Sequence, residues 1–171
     1  MRTPKVVVLP YDEAWKKAFE KIKSEIEGAI GDLILSVEHV GSTSVYQLSA
    51  KPCIDIDVVI KDYTVFDKVV CGLGKIGYIH EGDLGIKDRE AFKYLDKPHL
   101  YQHHLYVCPQ YSTELHRHIT FREFLRTHPD AAKKYGEVKE AAAKLFPNDI
   151  DKYIKYKSPC IKELYEACGL L

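Results

Sequence analysis

Two aspartates, Asp55 and Asp57, interrupt an otherwise apolar run from Cys53 to Ile60. A strand puts residues i and i+2 on one face, roughly 7 Å apart along the backbone, so both carboxylates point the same way. Side by side they repel. In so apolar a strand they are costly to bury without a cation, and the hard cation that carboxylate oxygens most often take in cells is Mg2+. Ion pairing at an exposed strand end is the plainer alternative. Upstream stand Gly41 and Ser42, at the end of one strand and before a short helix expected from Thr43 to Leu48. A Gly-Ser turn there exposes backbone N–H groups and a hydroxyl, where unpaired amides and the helix dipole favour an anion. A phosphate cradle beside a metal-binding carboxylate pair is the equipment of phosphoryl or nucleotidyl transfer, in which positioning and charge neutralisation supply most of the catalysis.

Further cations surround this pair in sequence. On a helix expected from Ser112 to Thr127, at about 100° per residue, His118, Arg122 and Arg126 fall within the apolar arc of Leu115, Ile119, Phe121 and Leu125. The solvent side is instead Thr113, His116, Thr120, Glu123 and Thr127. Guanidinium groups on a core-facing stripe need partners. Either they face a phosphate-bearing ligand, or they clamp acids of the sheet or snorkel outward. Lys51, before Pro52, either neutralises phosphate or is a plain loop lysine. Tyr135 and Lys139, like Tyr153 and Lys157, stand four apart and so share a helix face. His99, His103, His104 and Cys108 hint at zinc, but His103 and His104 face opposite ways in a strand, so only one of them, taken here as His104, can join the aspartates. Cys53 and Cys108 read as small buried hydrophobes.

These groups must be positioned by elements read from periodicity. A short strand is expected from Lys5 to Leu9, closed by Pro10, and an amphipathic helix from Tyr11 to Ile30, stopped by Gly31. Strands follow from Leu33 to Val40 and from Cys53 to Ile60, then a helix from Val65 to Ile76 and short strands at Phe92 to Leu95 and Leu105 to Cys108. From Ser112 onward the pattern is helical: Ser112 to Thr127, Pro129 to Phe146 and Ile150 to Cys168. The expectation is one α+β domain over residues 1–171, an α/β two-layer arrangement. A mixed sheet core, about 1–110, is covered by helices and joined to a C-terminal helical lobe, about 111–171.

The chain has 171 residues, close to one domain. Its 25 Lys and Arg balance 25 Asp and Glu, which argues against a broad nucleic-acid or membrane footprint and for a small ligand held between opposite charges. Five cysteines without CxxC spacing signal neither a disulfide framework nor a zinc ribbon, and fit a reducing cytoplasm. With no apolar leader or membrane span in the sequence, a soluble cytoplasmic protein is expected.

The stretch VEHVGSTSVYQLSAKPCIDIDVVI from Val37 to Ile60 resembles the signature of the GrpB family, within the nucleotidyltransferase superfamily of polymerase-β-like fold. HHLYVCP from His103 and ELHRHITFREFLRTHPDAAKKYGEVK from Glu114 are similar to later parts of the same pattern. The resemblance implies that Gly41 and Ser42 hold nucleotide phosphates while Asp55 and Asp57 bind Mg2+. It implies a third carboxylate on a neighbouring strand, but the matching strand carries His103 and His104 and no acid, so imidazole, His104, would serve as base or metal ligand. C-terminal helices of superfamily enzymes close over the nucleotide, which makes Lys139 and Lys157 phosphate candidates beside Lys51, His118, Arg122 and Arg126. Where the family tends to carry Pro-Gly, this chain has Tyr46-Gln47. The implied function is Mg2+-dependent nucleotidyl transfer from a nucleoside triphosphate to a small-molecule or protein acceptor. The alternative is a non-catalytic nucleotide- or coenzyme-binding module linked to coenzyme A metabolism, since relatives exist fused to dephospho-coenzyme A kinase.

Overall fold

The structure, a computed structural model, describes residues 5–171. Its elements run α1 (Ala14–Ile30), β1 (Ser36–Val40), β2 (Ile54–Ile60), α2 (Phe66–Lys75), β3 (Ile79–Gly82), β4 (Glu90–Lys93), β5 (His103–Pro109), α3 (Thr113–Thr127), α4 (Pro129–Leu145) and α5 (Ile150–Ala167). The five strands form one sheet in the order β1-β2-β5-β4-β3. Only the central pair, β2 with β5, is parallel; the other pairs are antiparallel. The expected mixed α+β sheet with a helical C-terminal run is therefore present.

Alternation along β2 divides the molecule. Ile54, Ile56, Val58 and Ile60 are buried in a core with Trp15, Phe19, Ile22, Ile26 and Ile30 of α1 and Val69 and Leu73 of α2. Burying this stripe is what holds α1 on the sheet, since each such side chain contributes about 1.5–3 kcal/mol on leaving water. Asp55, Asp57 and Val59 point to the other face, where Val59 meets Cys108 and Leu115 of α3. A separate apolar cluster of Val45, Leu48, Leu125, Ala132, Tyr135, Cys160 and Leu164 ties α3, α4 and α5 to the loop after β1. The helix starts follow local chemistry. Ser112 Oγ accepts the Leu115 N–H at 3.2 Å, Asp149 Oδ1 accepts that of Lys152 at 3.1 Å, and Pro129 opens α4 where no N–H is needed.

Several boundaries depart from expectation. The strand expected at Lys5 to Leu9 is only a bridge, with Leu9 and Ala50 exchanging two hydrogen bonds of 2.9 Å, because Pro10 offers no donor to extend it. Val6 N–H reaches Pro147 O instead, at 2.8 Å. Helix α1 begins at Ala14, where Asp12 Oδ1 accepts the Ala14 N–H, rather than at Tyr11. The helix expected from Thr43 to Leu48 is a single tight turn, Ser42–Ser44, after which Val45 is extended and Gln47 adopts φ 63. Strand β3 was not expected: it lies at the sheet edge, Ile79 to Glu81 exposed and Gly82 partly so, without alternation. Strands β4 and β5 each begin two residues earlier than the pattern suggests. Among the described residues, no helix is long and apolar enough to cross a membrane.

Candidate functional site

The site lies on the face of the sheet that carries Asp55. Gly41 turns at φ 74, and a Cβ there would collide with Asp55 Oδ2, so only glycine lets the turn pass over the carboxylate. Ser44 closes the turn, its N–H and Oγ both donating to Gly41 O, at 3.1 and 2.5 Å. On β5, His104 is in register with Asp55 and Tyr106 with Asp57.

Each aspartate has an imidazole partner. His104 Nδ1 lies 3.1 Å from Asp55 Oδ1, with both side chains partly exposed. The hydrogen bond to Asp55 is the main cause that raises the His104 pKa to about 10. His118 of α3 places Nδ1 2.6 Å from Asp57 Oδ2 and Nε2 3.3 Å from Glu114 Oε1. Burial disfavours its charge, but the bond to Asp57 and the surrounding carboxylates raise its pKa on balance. Asp57 itself is fully buried; burial raises its carboxyl pKa, while His118 and Arg89 pull it down. Its second oxygen, Oδ1, has no hydrogen-bond partner among the described residues.

Beyond Asp55 lies a cavity of about 220 Å³ lined by Ser42, Lys51, Cys53, Asp55, His104, Tyr135, Lys139, Tyr153 and Lys157. Lys139 is 3% exposed, donates to Ser42 Oγ at 2.8 Å and sits 4.5 Å from the Tyr135 ring centre. Burial, with Lys157 nearby, pushes its pKa down to about 7. Lys157 lies 4.8 Å from the Tyr153 ring centre, its pKa also lowered by burial. Among the described residues no carboxylate forms an ion pair with either lysine; the one acid lining the cavity, Asp55, pairs with His104. A second cavity of the same volume, lined by Gly41, Ser42, Asp55, Arg117, His118, Phe121, Arg122, Leu125, Tyr135 and Tyr165, adjoins it.

The residues singled out by sequence are thus distributed unevenly. Ser42, Lys51, Asp55, His104 and Lys157 meet around the lysine cavity, Gly41 lines the adjoining one, and His118 reaches Asp57. Arg122 borders the second cavity, but its guanidinium is engaged by Glu38 at 3.3 Å, Glu123 at 2.9 Å and His39 O at 3.0 Å. Arg126 is placed on the far side of the turn, donating to Ser44 O at 3.0 and 2.8 Å from a separate groove lined by Tyr11, Lys16, Phe19 and Tyr46. His103 faces away from the aspartates, bonded to Tyr78 Oη and Tyr101 O. Two groups beside the site were not anticipated. Tyr135 was read only as a helix-face partner of Lys139. Arg89, in the loop before β4, lies 4.2 Å from the Tyr106 ring centre.

Among the described residues no three His, Cys, Asp or Glu side chains converge into a self-sufficient metal cage. Even so, the donor set suits one hard cation. Asp55 opens to the cavities, and Asp57 Oδ1 is a buried oxygen that hydrogen bonding leaves unsatisfied.

The fold is nucleotidyltransferase-like. The structure of Cid1 poly(U) polymerase bound to MgATP superposes with a TM-score of 0.57 at 9% identity, over 80% of this chain and 44% of that one. The chain belongs to the GrpB family, whose pattern, described as GrpB protein, matches residues 5–167. The crystal structure of the conserved protein GrpB from Enterococcus faecalis is 32% identical, with a TM-score of 0.78 over 94% of this chain and 98% of that one. The glutamate-rich protein GrpB of Alkalihalophilus pseudofirmus is 32% identical, with 93% of each chain covered. UPF0157 protein YqkA of Bacillus subtilis is 31% identical over 95% of this chain, which spans only 47% of that relative's length. A dephospho-CoA kinase of Mycolicibacterium paratuberculosis is 26% identical over 94% of this chain and 45% of its own length.

Proposed function

We propose that the protein binds a nucleoside triphosphate with Mg2+ and transfers its nucleotidyl group to a small-molecule or protein acceptor. The observation that carries this reading is Lys139, a buried ammonium whose hydrogen bond is to a serine hydroxyl and which faces a cavity shared with Lys51 and Lys157. A buried cation without a counter-charge is unfavourable, and a polyanionic ligand removes that penalty. In this reading the triphosphate lies between the lysines and the Gly41–Ser44 turn, whose amides and Ser42 hydroxyl hold its oxygens. The base and ribose take the second cavity, where Phe121, Tyr135 and Tyr165 offer aromatic faces. Asp55 and Asp57 hold Mg2+, which when bound draws charge off the phosphates. His104 stands at Asp55 to orient it, and because its raised pKa keeps it protonated it donates rather than serving as the base expected from sequence.

A second reading has its own support. The β5 positions in register with Asp55 and Asp57 are His104 and Tyr106, so no third carboxylate joins the pair from that strand. A nucleotide- or coenzyme-binding module that does no transfer fits this, and the similarity to a dephospho-CoA kinase favours a coenzyme A context. Calorimetry with each nucleoside triphosphate, with and without Mg2+, on the native chain and on the Asp55→Asn, Asp57→Asn double variant tests both readings. Binding that depends on Mg2+ and on the aspartates is expected; no binding under any condition would refute both. Pyrophosphate release with a metabolite set then separates transfer from binding alone.

A further inference from the structure

Arg89 differs from the cations of the site that sit against acids. The imidazoles of His104 and His118 and the guanidinium of Arg122 lie within 4.0 Å of carboxylates, whereas the Arg89 group lies over the Tyr106 ring and its buried Nε has no hydrogen-bond partner among the described residues. With Val40, Gly41, Asp55, Tyr106 and His118 it walls a cavity of about 190 Å³. Tyr106 is the register partner of Asp57, so the guanidinium is stacked on the strand beside the concealed carboxylate whose Oδ1 is also unpartnered. A guanidinium keeps its charge at any physiological pH, and stacking fixes its position.

The two carboxylates thus have two different approaches. Asp55 opens to the lysine cavity, from which a metal ion and phosphates can enter. On the side towards β4 a fixed positive charge is already installed. In two-metal sites a second divalent ion stabilises the oxygens that the first does not reach. We propose that Arg89 is a built-in counter-cation of the Asp55 and Asp57 pair: it takes the place of a second metal ion, so the site holds one divalent ion and offers a guanidinium to a ligand oxygen entering the Arg89 cavity. This rests on the reading of Asp55 and Asp57 as a Mg2+ site.

The test is Mn2+ binding to the full chain, followed by electron paramagnetic resonance, for the native protein, Arg89→Gln and Arg89→Lys, with ATP affinity measured in parallel. The native chain is expected to bind one Mn2+. Arg89→Gln should gain a second ion or bind the first about tenfold tighter, the effect of removing one adjacent like charge, and Arg89→Lys should stay within about threefold of native. Two Mn2+ on the native chain, or an Arg89→Gln variant that binds a single Mn2+ with an affinity within twofold of native, would overturn the proposal while leaving nucleotide binding intact. If neither Mn2+ nor ATP binds any of the three, the nucleotide reading itself fails and the proposal with it. The native stoichiometry decides the matter even if Arg89→Gln does not fold.

Discussion

Lys139 Nζ donates a 2.8 Å hydrogen bond to Ser42 Oγ, joining the middle of α4 to the turn after β1 across 97 positions of sequence. The ammonium is held at the turn by packing, at the cost of its own hydration. Function and stability therefore oppose each other at this residue. Lys139→Met keeps the length and loses the charge. It is expected to weaken triphosphate binding by about 10- to 100-fold, the worth of a charge-assisted hydrogen bond of about 1.5–3 kcal/mol. Its melting temperature should equal or exceed that of the native protein, because an apolar side chain of similar volume is no longer a desolvated ion. Calorimetry and a thermal melt on the same sample check both halves; a fall in melting temperature with unchanged affinity would contradict them.

The pH dependence of binding follows from the same residue. With its pKa lowered to about 7 by burial, Lys139 loses its proton in the free protein as pH rises through neutrality, while an anion in the cavity favours the protonated form. Triphosphate affinity should fall as pH rises from about 7, with about one proton taken up per ligand bound near pH 8. Titration calorimetry in two buffers of different ionisation heat measures that proton. Lys139→Met should abolish the uptake.

His39 sets a pH limit on stability. It is buried, stacked on Phe19 at 4.6 Å between ring centres and bonded to Thr43 Oγ1 at 2.9 Å. Burial, reinforced by Arg126, lowers its pKa to about 4. The folded state therefore keeps His39 neutral while the unfolded chain protonates it below about 6.5. Between those values the unfolded state binds more protons, so stability falls as pH drops from 6.5 towards 4, by up to about 3 kcal/mol. Urea melts from pH 7 to 4.5 should show a shallower decline for His39→Gln than for the native chain.

Gln47 sits at φ 63, a left-handed conformation that costs a side-chain-bearing residue about 1 kcal/mol or more. Gln47→Gly relieves it without removing a buried contact, since Gln47 is exposed. A rise in melting temperature of about 2–4 °C is expected, the shift corresponding to 1 kcal/mol in a chain of this size. Nucleotide affinity should not move.

The aspartates were legible because they violate an apolar strand, a departure that sequence displays directly. Their partners in the turn, Gly41 and Ser42, were legible from the Gly-Ser pair between a strand and a short helical stretch, and the GrpB resemblance implied the same role. The stripe of His118, Arg122 and Arg126 was legible as a helix face and no further: a wheel fixes direction around the axis but not position along it. One helical turn separates each residue from the next, which is enough to put His118 at Asp57 and Arg126 on the far side of the Gly41–Ser44 turn. Strand β3 was hidden because an edge strand with both faces exposed has no alternation to read. Arg89 was hidden for another reason. It lies in an irregular loop, and only the pairing of β4 with β5 brings it over Tyr106.

The strand order also governs when the site comes into being. Strand β5 lies between β2 and β4, so Asp55 meets His104 only after a loop of nearly fifty residues has closed. Closure of Lys139 onto Ser42 must span about twice that. Contacts so distant in sequence bring their entropy cost early and their return late, which slows folding. On a ribosome the carboxylate pair would emerge well before the imidazole and the ammonium that face the same cavity, so the site matures after its first residues are made.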